Sequence, residues 1–157
     1  MSIDRARKHL EALGLGDCIM EFDQSSATVE LAAEAVGCDP ARIAKTLSFH
    51  VGDRVALVLF AGDVRIDNRK FKDQFHAKPK MLKTDEAEPL IGHGVGGVCP
   101  FGVNDGCDVY LDESLRRFDV VYPAAGTPAS AVRLTIENLE RACAPCEWVD
   151  VSKPREV

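Results

Sequence analysis

The chain has 157 residues, 46% of them apolar and 28% charged, and a formal net charge of −6. That length suits one domain with one core, and the acidic balance argues against a protein coated in nucleic acid. The opening MSIDRARKHL lacks the apolar segment of a signal peptide. The longest apolar run, VALVLFAG at 55–62, is far too short to span a bilayer, so a soluble cytoplasmic protein is expected.

Ile3, Ala6, Leu10 and Leu13 keep helical spacing, and Gly14 and Gly16 end that helix. CIMEF (18–22) reads as a short strand. Val29, Ala32, Ala33 and Val36 form a second helical stripe, capped at Ser26 or Thr28 and ended by Gly37. Asp39 as cap and Pro40 as first helical residue start a very short third helix. TLSFHV (46–51) and VALVLFA (55–61) flank GDR and read as a hairpin. Asp67 caps a basic helix running to His76, and Thr84 caps another ending at Ile91. DVYLD (108–112) and DVVYPAA (119–125) are strands, joined by a turn or short helix at ESLRR. AVRLT (131–135) is a further strand, Thr135 opens a helix through Cys143, and EWVDV (147–151) is the last strand. Strands outnumber helices and several are joined by short turns. The fold class is therefore α+β: a single domain, 1–157, with a mixed, mostly antiparallel sheet and surrounding helices.

Lys45 stands between the cap at Asp39 and the strand TLSF, beside apolar Ile43, Ala44 and Leu47. A lysine there either snorkels to water or points at something negative. Among the six cysteines only Cys143 and Cys146 have metal or redox spacing, and with no second such pair, free thiols and no metal are expected. Residues 65–83 hold seven Lys or Arg against two Asp, a local charge of +5 that leaves −11 elsewhere. Such a run is either a solvated helix face or a docking patch for phosphates; on the second reading Arg69, Lys70 and Lys72, helped by Lys78 and Lys80, meet RNA phosphates. The segment GHGVGGVCPFG at 92–102 carries five glycines and a proline. Glycines expose backbone N–H groups that can bind a phosphate or an oxyanion, although the pattern matches neither a P-loop nor a dinucleotide fingerprint. No serine-nucleophile or zinc-protease motif is present. Cys99 in the glycine segment is a conceivable nucleophile and His93 a conceivable base, set against Cys99 as a small buried hydrophobe.

LAAEAVGCDPARIAKTLSF, then GGVCPFG, then VVYPAAG followed by VRLT, occur in this order over roughly residues 20–150. Together they resemble the YbaK/EbsC family, prolyl-tRNA-editing domains that also occur inserted in bacterial prolyl-tRNA synthetases. The resemblance implies an aminoacyl-tRNA deacylase with mischarged tRNA as partner, prolyl-tRNA synthetase as a second partner, and no cofactor, DNA or membrane. It implies that Lys45 points into a pocket and meets the polar end of the substrate. N–H groups around Gly96, Gly97 and Val98 then stabilise the tetrahedral oxyanion, worth ~3 kcal/mol per donor in other enzymes. Thr46, Pro100, Phe101, Gly126 and Thr127 face the substrate, Gly126 as a wall without a side chain. The Asp of cysteine-selective relatives is replaced near Ala131, and the His of alanine-selective ones by Thr127; EFD (21–23) supplies no His either. The amino acid removed is therefore Cys, Ala, Ser or Thr. The alternative is an inactive module that binds tRNA, a nucleotide or a synthetase.

Overall fold

The computed structural model describes residues 2–23, 28–94 and 96–155. Its elements in chain order are α1 (Ser2–Glu11), β1 (Ile19–Glu21), α2 (Val29–Val36), β2 (Ile43–Val51), β3 (Arg54–Ala61), β4 (Val64–Ile66), α3 (Asn68–Phe75), α4 (Thr84–Ile91), β5 (Cys107–Asp112), β6 (Val120–Pro123), β7 (Ser130–Val132), β8 (Leu134–Thr135), α5 (Ile136–Cys143), β9 (Cys146–Val149) and β10 (Ser152–Pro154). Single 3-10 turns lie at Gly16–Cys18, Pro40–Arg42 and Glu113–Arg117.

The central sheet runs β8-β6-β2-β3-β5-β9. β2 and β3 form an antiparallel hairpin, β8 is antiparallel to β6, and β2–β6, β3–β5 and β5–β9 are parallel. Two antiparallel ribbons, β1–β7 and β4–β10, complete a mixed and mostly antiparallel α+β fold. β3 is flanked on both edges, and every residue in it after Arg54 is buried, which is why its sequence is continuously apolar rather than alternating. Gly52, at φ 61, takes the first position of the β2–β3 turn that an ordinary side chain would strain. Ala6 and Leu10 seat α1 on the core, and Phe71 of α3 packs on Phe49 of β2 at 4.7 Å between ring centroids.

The expected caps at Thr28, Asp39, Asp67 and Thr135 each accept a backbone N–H; Ser26, the other candidate cap for α2, lies outside the described residues. Four details differ. β2 begins three residues earlier than expected, because Ile43 and Ala44 pair with Tyr122 and Pro123, so Lys45 lies within the strand rather than before it. Thr84 is the first residue of α4 and not its cap: the Lys83 N–H donates to the Glu86 carboxylate at 2.8 Å. AVRLT is two strands, because the chain passes from β1 to β6 at Arg133. β4 and β10, too short at three residues each to read as strands, pair with each other.

The buried Asp112 carboxylate locks the C-terminal segment. It accepts from Val151 N at 2.9 Å, Ser152 Oγ at 2.6 Å and Ser114 N at 2.9 Å. A buried charge with this many donors is satisfied rather than reactive. All six cysteines are free thiols.

Candidate active site

β2 is paired with β3 from Ala44 to Val51 along one edge but only at its two ends along the other. Ile43 and Ala44 meet β6, and the segment before α4 meets the far end: His50 N donates to Lys80 O at 2.8 Å and Leu82 N to Ser48 O at 3.1 Å. Between these lie Lys45, Thr46 and Leu47. Peptide groups alternate between the two edges of an antiparallel strand. Thr46 is in phase with Ser48 and His50, so its peptide groups face this gap. A cavity of about 390 Å³ opens there. Val29 and Ala32 of α2 form one wall, Met81 and Lys83 another, and Gly96, Val98, Thr127 and Ala131 close it. Among the described lining residues there are two lysines and no carboxylate.

Lys45 lines the cavity and donates from Nζ to the carbonyl oxygen of Val64 in β4, a residue outside the cavity lining. Burial pushes its pKa below the ordinary lysine value, and the Arg155 guanidinium pushes the same way; Asp63 and Glu30 oppose them. Asp63 is itself held by Arg117 through a two-pronged contact of 2.9 and 2.5 Å, so its charge is divided between two cations. Lys45 is thus a half-buried, positioned donor with a weakened hold on its proton.

The glycine segment reaches the cavity through Gly96 and Val98. Gly96 has φ 88. Gly97 lies behind them: its N–H donates to Gly94 O at 3.1 Å, and a Cβ there would stand 2.3 Å from Gly126 O and 2.7 Å from Thr127 N. Only glycine lets the two loops press together this closely. The second loop is tied by Ser130, whose Oγ accepts from Ala125 N at 3.2 Å, meets Thr127 Oγ1 at 3.0 Å and donates to Thr127 O at 3.0 Å. Thr127 is thereby fixed at the cavity wall, while Gly126, at φ 98, is buried behind it.

The structure therefore brings Lys45, Thr46, Gly96, Val98 and Thr127 to one cavity, with Gly97 and Gly126 in contact behind its wall. Pro100 and Phe101 go elsewhere. Phe101 is fully buried against the His9 ring at 5.8 Å, and Pro100 lines a separate hollow with His9, Tyr110 and Pro145. Its core position leaves Phe101 no surface to offer a substrate. Val95 lies outside the described residues. Sequence reasoning missed Lys83, Ser130, Val29 and Ala32. Lys83 had a signal as the end of the basic run. Val29 and Ala32 looked like core, because a cavity wall and a core face have the same helical periodicity.

Cys99 and His93 do form a pair, 3.5 Å apart, but both are fully buried and neither lines the cavity. Both bond to the Phe101 carbonyl, His93 Nε2 at 2.6 Å and Cys99 Sγ at 3.8 Å. Burial pushes the Cys99 thiol up to about 12, which leaves it a poor nucleophile, and pushes His93 down; fully buried and outside the cavity, neither is placed to meet a substrate there.

Of the basic residues, Arg69, Lys72, Lys78 and Lys80 are exposed. Lys70 is engaged: its Nζ bonds Asp150 at 3.1 Å and the Ser152 carbonyl at 2.9 Å, tying α3 to β10. Among the described residues no His, Cys, Asp and Glu cluster could hold a metal ion, and no helix is long and apolar enough to cross a membrane.

Residues 23–142 match the aminoacyl-tRNA editing domain family. The chain is 45% identical over 157 residues to the uncharacterized protein YwhH of Bacillus subtilis (strain 168), covering 99% of this chain and all of that one. It is 28% identical over 125 residues to a proline–tRNA ligase of Geobacillus sp. (strain WCH70), covering 79% of this chain but 22% of the ligase. A solved structure described as a candidate trans-editing enzyme for prolyl tRNA synthetase superposes with a TM-score of 0.87 and 31% identity, over 97% of both chains.

Proposed function

Because the chain belongs to the aminoacyl-tRNA editing domain family, we propose that it is a cytoplasmic trans-editing hydrolase that deacylates mischarged aminoacyl-tRNA in the Lys45 cavity. The proposed substrate is tRNA(Pro) carrying Cys, Ala, Ser or Thr, with prolyl-tRNA synthetase as the enzyme whose errors it removes. The observation that carries the reading is the interrupted edge of β2, which opens a cavity beside a half-buried lysine and a glycine loop.

In this reading the 3′-terminal ribose and its acyl group enter the gap. Lys45 holds a polar oxygen of the substrate, giving up part of its bond to Val64 O. Water attacks the acyl carbon and the carbonyl oxygen gains charge. N–H groups of Gly96 and Val98 meet that oxyanion, each worth ~3 kcal/mol if well aimed; Gly97 braces the loop from behind, since its own N–H is spent on Gly94 O and it packs against Gly126. The ester bond then breaks, leaving free amino acid and the ribose hydroxyl. No general base is assigned, because positioning and electrostatics act on an already activated ester. Val29, Ala32 and Ala131 set the size of the acyl group. Such walls separate side chains by ~1–3 kcal/mol per methylene, so neighbouring small residues are discriminated weakly. Arg69, Lys70, Lys72, Lys78 and Lys80 attract the tRNA phosphates.

The test is deacylation of a panel of tRNAs mischarged with Cys, Ala, Ser and Thr, beside correctly charged Pro-tRNA(Pro), by the purified protein. Release of one or more small amino acids well above the spontaneous rate, with Pro-tRNA(Pro) spared, is expected. Tight tRNA binding with no release from any of them would contradict the deacylase and favour a binding module.

A further inference from the structure

We propose that the mouth of the Lys45 cavity is a subsite for the terminal nucleotide that carries the acyl group, with the Met81 side chain under its base and the Lys83 ammonium on its phosphate. This rests on the deacylase reading and adds to it the part of the substrate that does not react.

The lining of the cavity is graded from buried to exposed. Ile43, Ala44 and Ala131 are buried and form its floor, while Thr28, Met81 and Lys83 are exposed and rim its opening. Its volume of about 390 Å³ lies within the range of small-molecule sites and exceeds what the acyl group of Cys, Ala, Ser or Thr fills. An acyl group on the floor therefore leaves the rim to the nucleoside attached to it.

The rim has the chemistry that a nucleotide needs. Leu31, Met81 and Leu90 are the large apolar side chains exposed among the described residues, and of these Met81 is the one that lines the cavity. A flat base laid on it removes apolar surface of both from water, and a thioether makes favourable contacts with aromatic rings. The backbone that carries Met81 is tied to β2. His50 N donates to Lys80 O at 2.8 Å, Leu82 N donates to Ser48 O at 3.1 Å, and Met81 itself bridges Phe49. A side chain presented by an ordered segment loses less entropy when a ligand arrives.

Lys83 follows two residues later and lines the same cavity. Among the described residues no hydrogen bond or ion pair holds its ammonium. Glu86, the carboxylate on which its charge acts, is already engaged: Oε1 accepts the Lys83 N–H at 2.8 Å and meets His50 Nε2 at 3.1 Å. Neither Asp85 nor Glu86 lines the cavity. A phosphate at the mouth thus meets Lys83, with Lys45 deeper in, and no acid in the described lining opposes it. Apolar surface beside a cation, at the opening of a cavity without carboxylates, fits an anion that bears a flat ring.

The test compares three esters of one amino acid, the one released fastest in the deacylation panel: its methyl ester, its 2′(3′)-adenosine ester and the charged tRNA. The first lacks the nucleoside, the second has the nucleoside without phosphate, and the third has both. kcat/KM is measured for the full chain as parent, Met81→Ser, Lys83→Gln and the conservative Met81→Leu and Lys83→Arg, with a thermal melt of each. For the parent it should rise along the series. Met81→Ser should lose about tenfold on the adenosine ester and on tRNA, the scale of one stacked base, and far less on the methyl ester; Met81→Leu should recover most of the loss. Lys83→Gln should lose several-fold on tRNA alone and flatten the log–log salt dependence there by ~0.7, one single-strand phosphate contact; Lys83→Arg should restore both. All four variants should melt close to the parent, because both side chains are exposed. Equal losses on all three esters, or parental rates of Met81→Ser and Lys83→Gln on tRNA, overturn the subsite. A parent that hydrolyses none of the three overturns the deacylase reading itself.

Discussion

Two regions under the same glycine segment hold groups with chemical potential, and they differ in access. Around Lys45 the sheet edge is left open, and the lysine is half-buried at the side of a cavity. Around Cys99 and His93 everything is sealed: a thiol and an imidazole 3.5 Å apart, fully buried, share one backbone carbonyl. By composition the second region is the more familiar catalytic pair. By environment it is packing, because burial raises the thiol to about 12 and closes both groups off from solvent. Residue type nominates a catalytic group, and solvent access together with a place for substrate decides whether it acts.

The largest expected effect falls on the open region. Lys45→Ala should lower deacylation by ~10²–10³-fold, the scale of losing one preorganised contact to developing charge, in a chain that still melts cooperatively. The stability consequence has a definite sign. Burial lowers the Lys45 pKa, so the folded chain releases this proton at lower pH than the unfolded chain does. The parent therefore gains stability as pH rises from that lowered value toward ~10.4, and Lys45→Met should lack the gain. Melts of both proteins across alkaline pH check this.

Next comes the seam between the two regions. Gly97→Ala sets a Cβ 2.3 Å from Gly126 O, and neither backbone can yield cheaply. A loss of about 3 kcal/mol is expected, with activity reduced further because Gly96 and Val98 move with the loop. Denaturant titration and kinetics on the same preparation separate the two losses. A Gly97→Ala chain of parent stability would mean that the loops do not press together as described.

The α3 patch should matter less. Neutralising Arg69, Lys70 and Lys72 together should weaken tRNA binding roughly tenfold and reduce its salt dependence, while a short ester is hydrolysed nearly as before. Lys70→Ala alone should cost mainly stability, since Lys70 tethers β10 through Ser152 O and Asp150. Unchanged tRNA affinity in the triple variant would reduce the run to a solvated helix face.

The smallest effect is expected in the sealed region. Cys99→Ala should keep activity within about threefold and cost on the order of 1 kcal/mol for the lost buried volume. With its thiol held up to about 12, Cys99 should also resist alkylation at neutral pH while the chain is folded.

How far the chain could be read without coordinates follows the same divide. Helices with periodic stripes and good caps were legible: Thr28, Asp39, Asp67 and Thr135 stand where they were expected. So was the β2–β3 hairpin, because Gly52 sits between two strand-rich runs. β4 and β10 were not, since three residues carry no period and their pairing spans most of the chain. The split at Arg133 was hidden because each half looks like ordinary strand. In the site, the sequence pointed to Lys45 through its odd apolar company and to the 92–102 segment through its density of Gly. It did not show that Gly97 faces Gly126 rather than the cavity, nor that Phe101 belongs to the core. Both depend on which loops meet, and that is set by contacts between distant segments rather than by local pattern.

The contrast between the two regions is tested most directly by single-turnover deacylation of one mischarged tRNA(Pro) by the parent, Lys45→Ala and Cys99→Ala side by side, with melts on the same samples. A rate at least a hundredfold lower for Lys45→Ala and nearly parental for Cys99→Ala, both chains folded, is the predicted result. A folded, active Lys45→Ala together with an inactive Cys99→Ala, or a trapped thioester on Cys99, would contradict it and move the chemistry to the sealed pair.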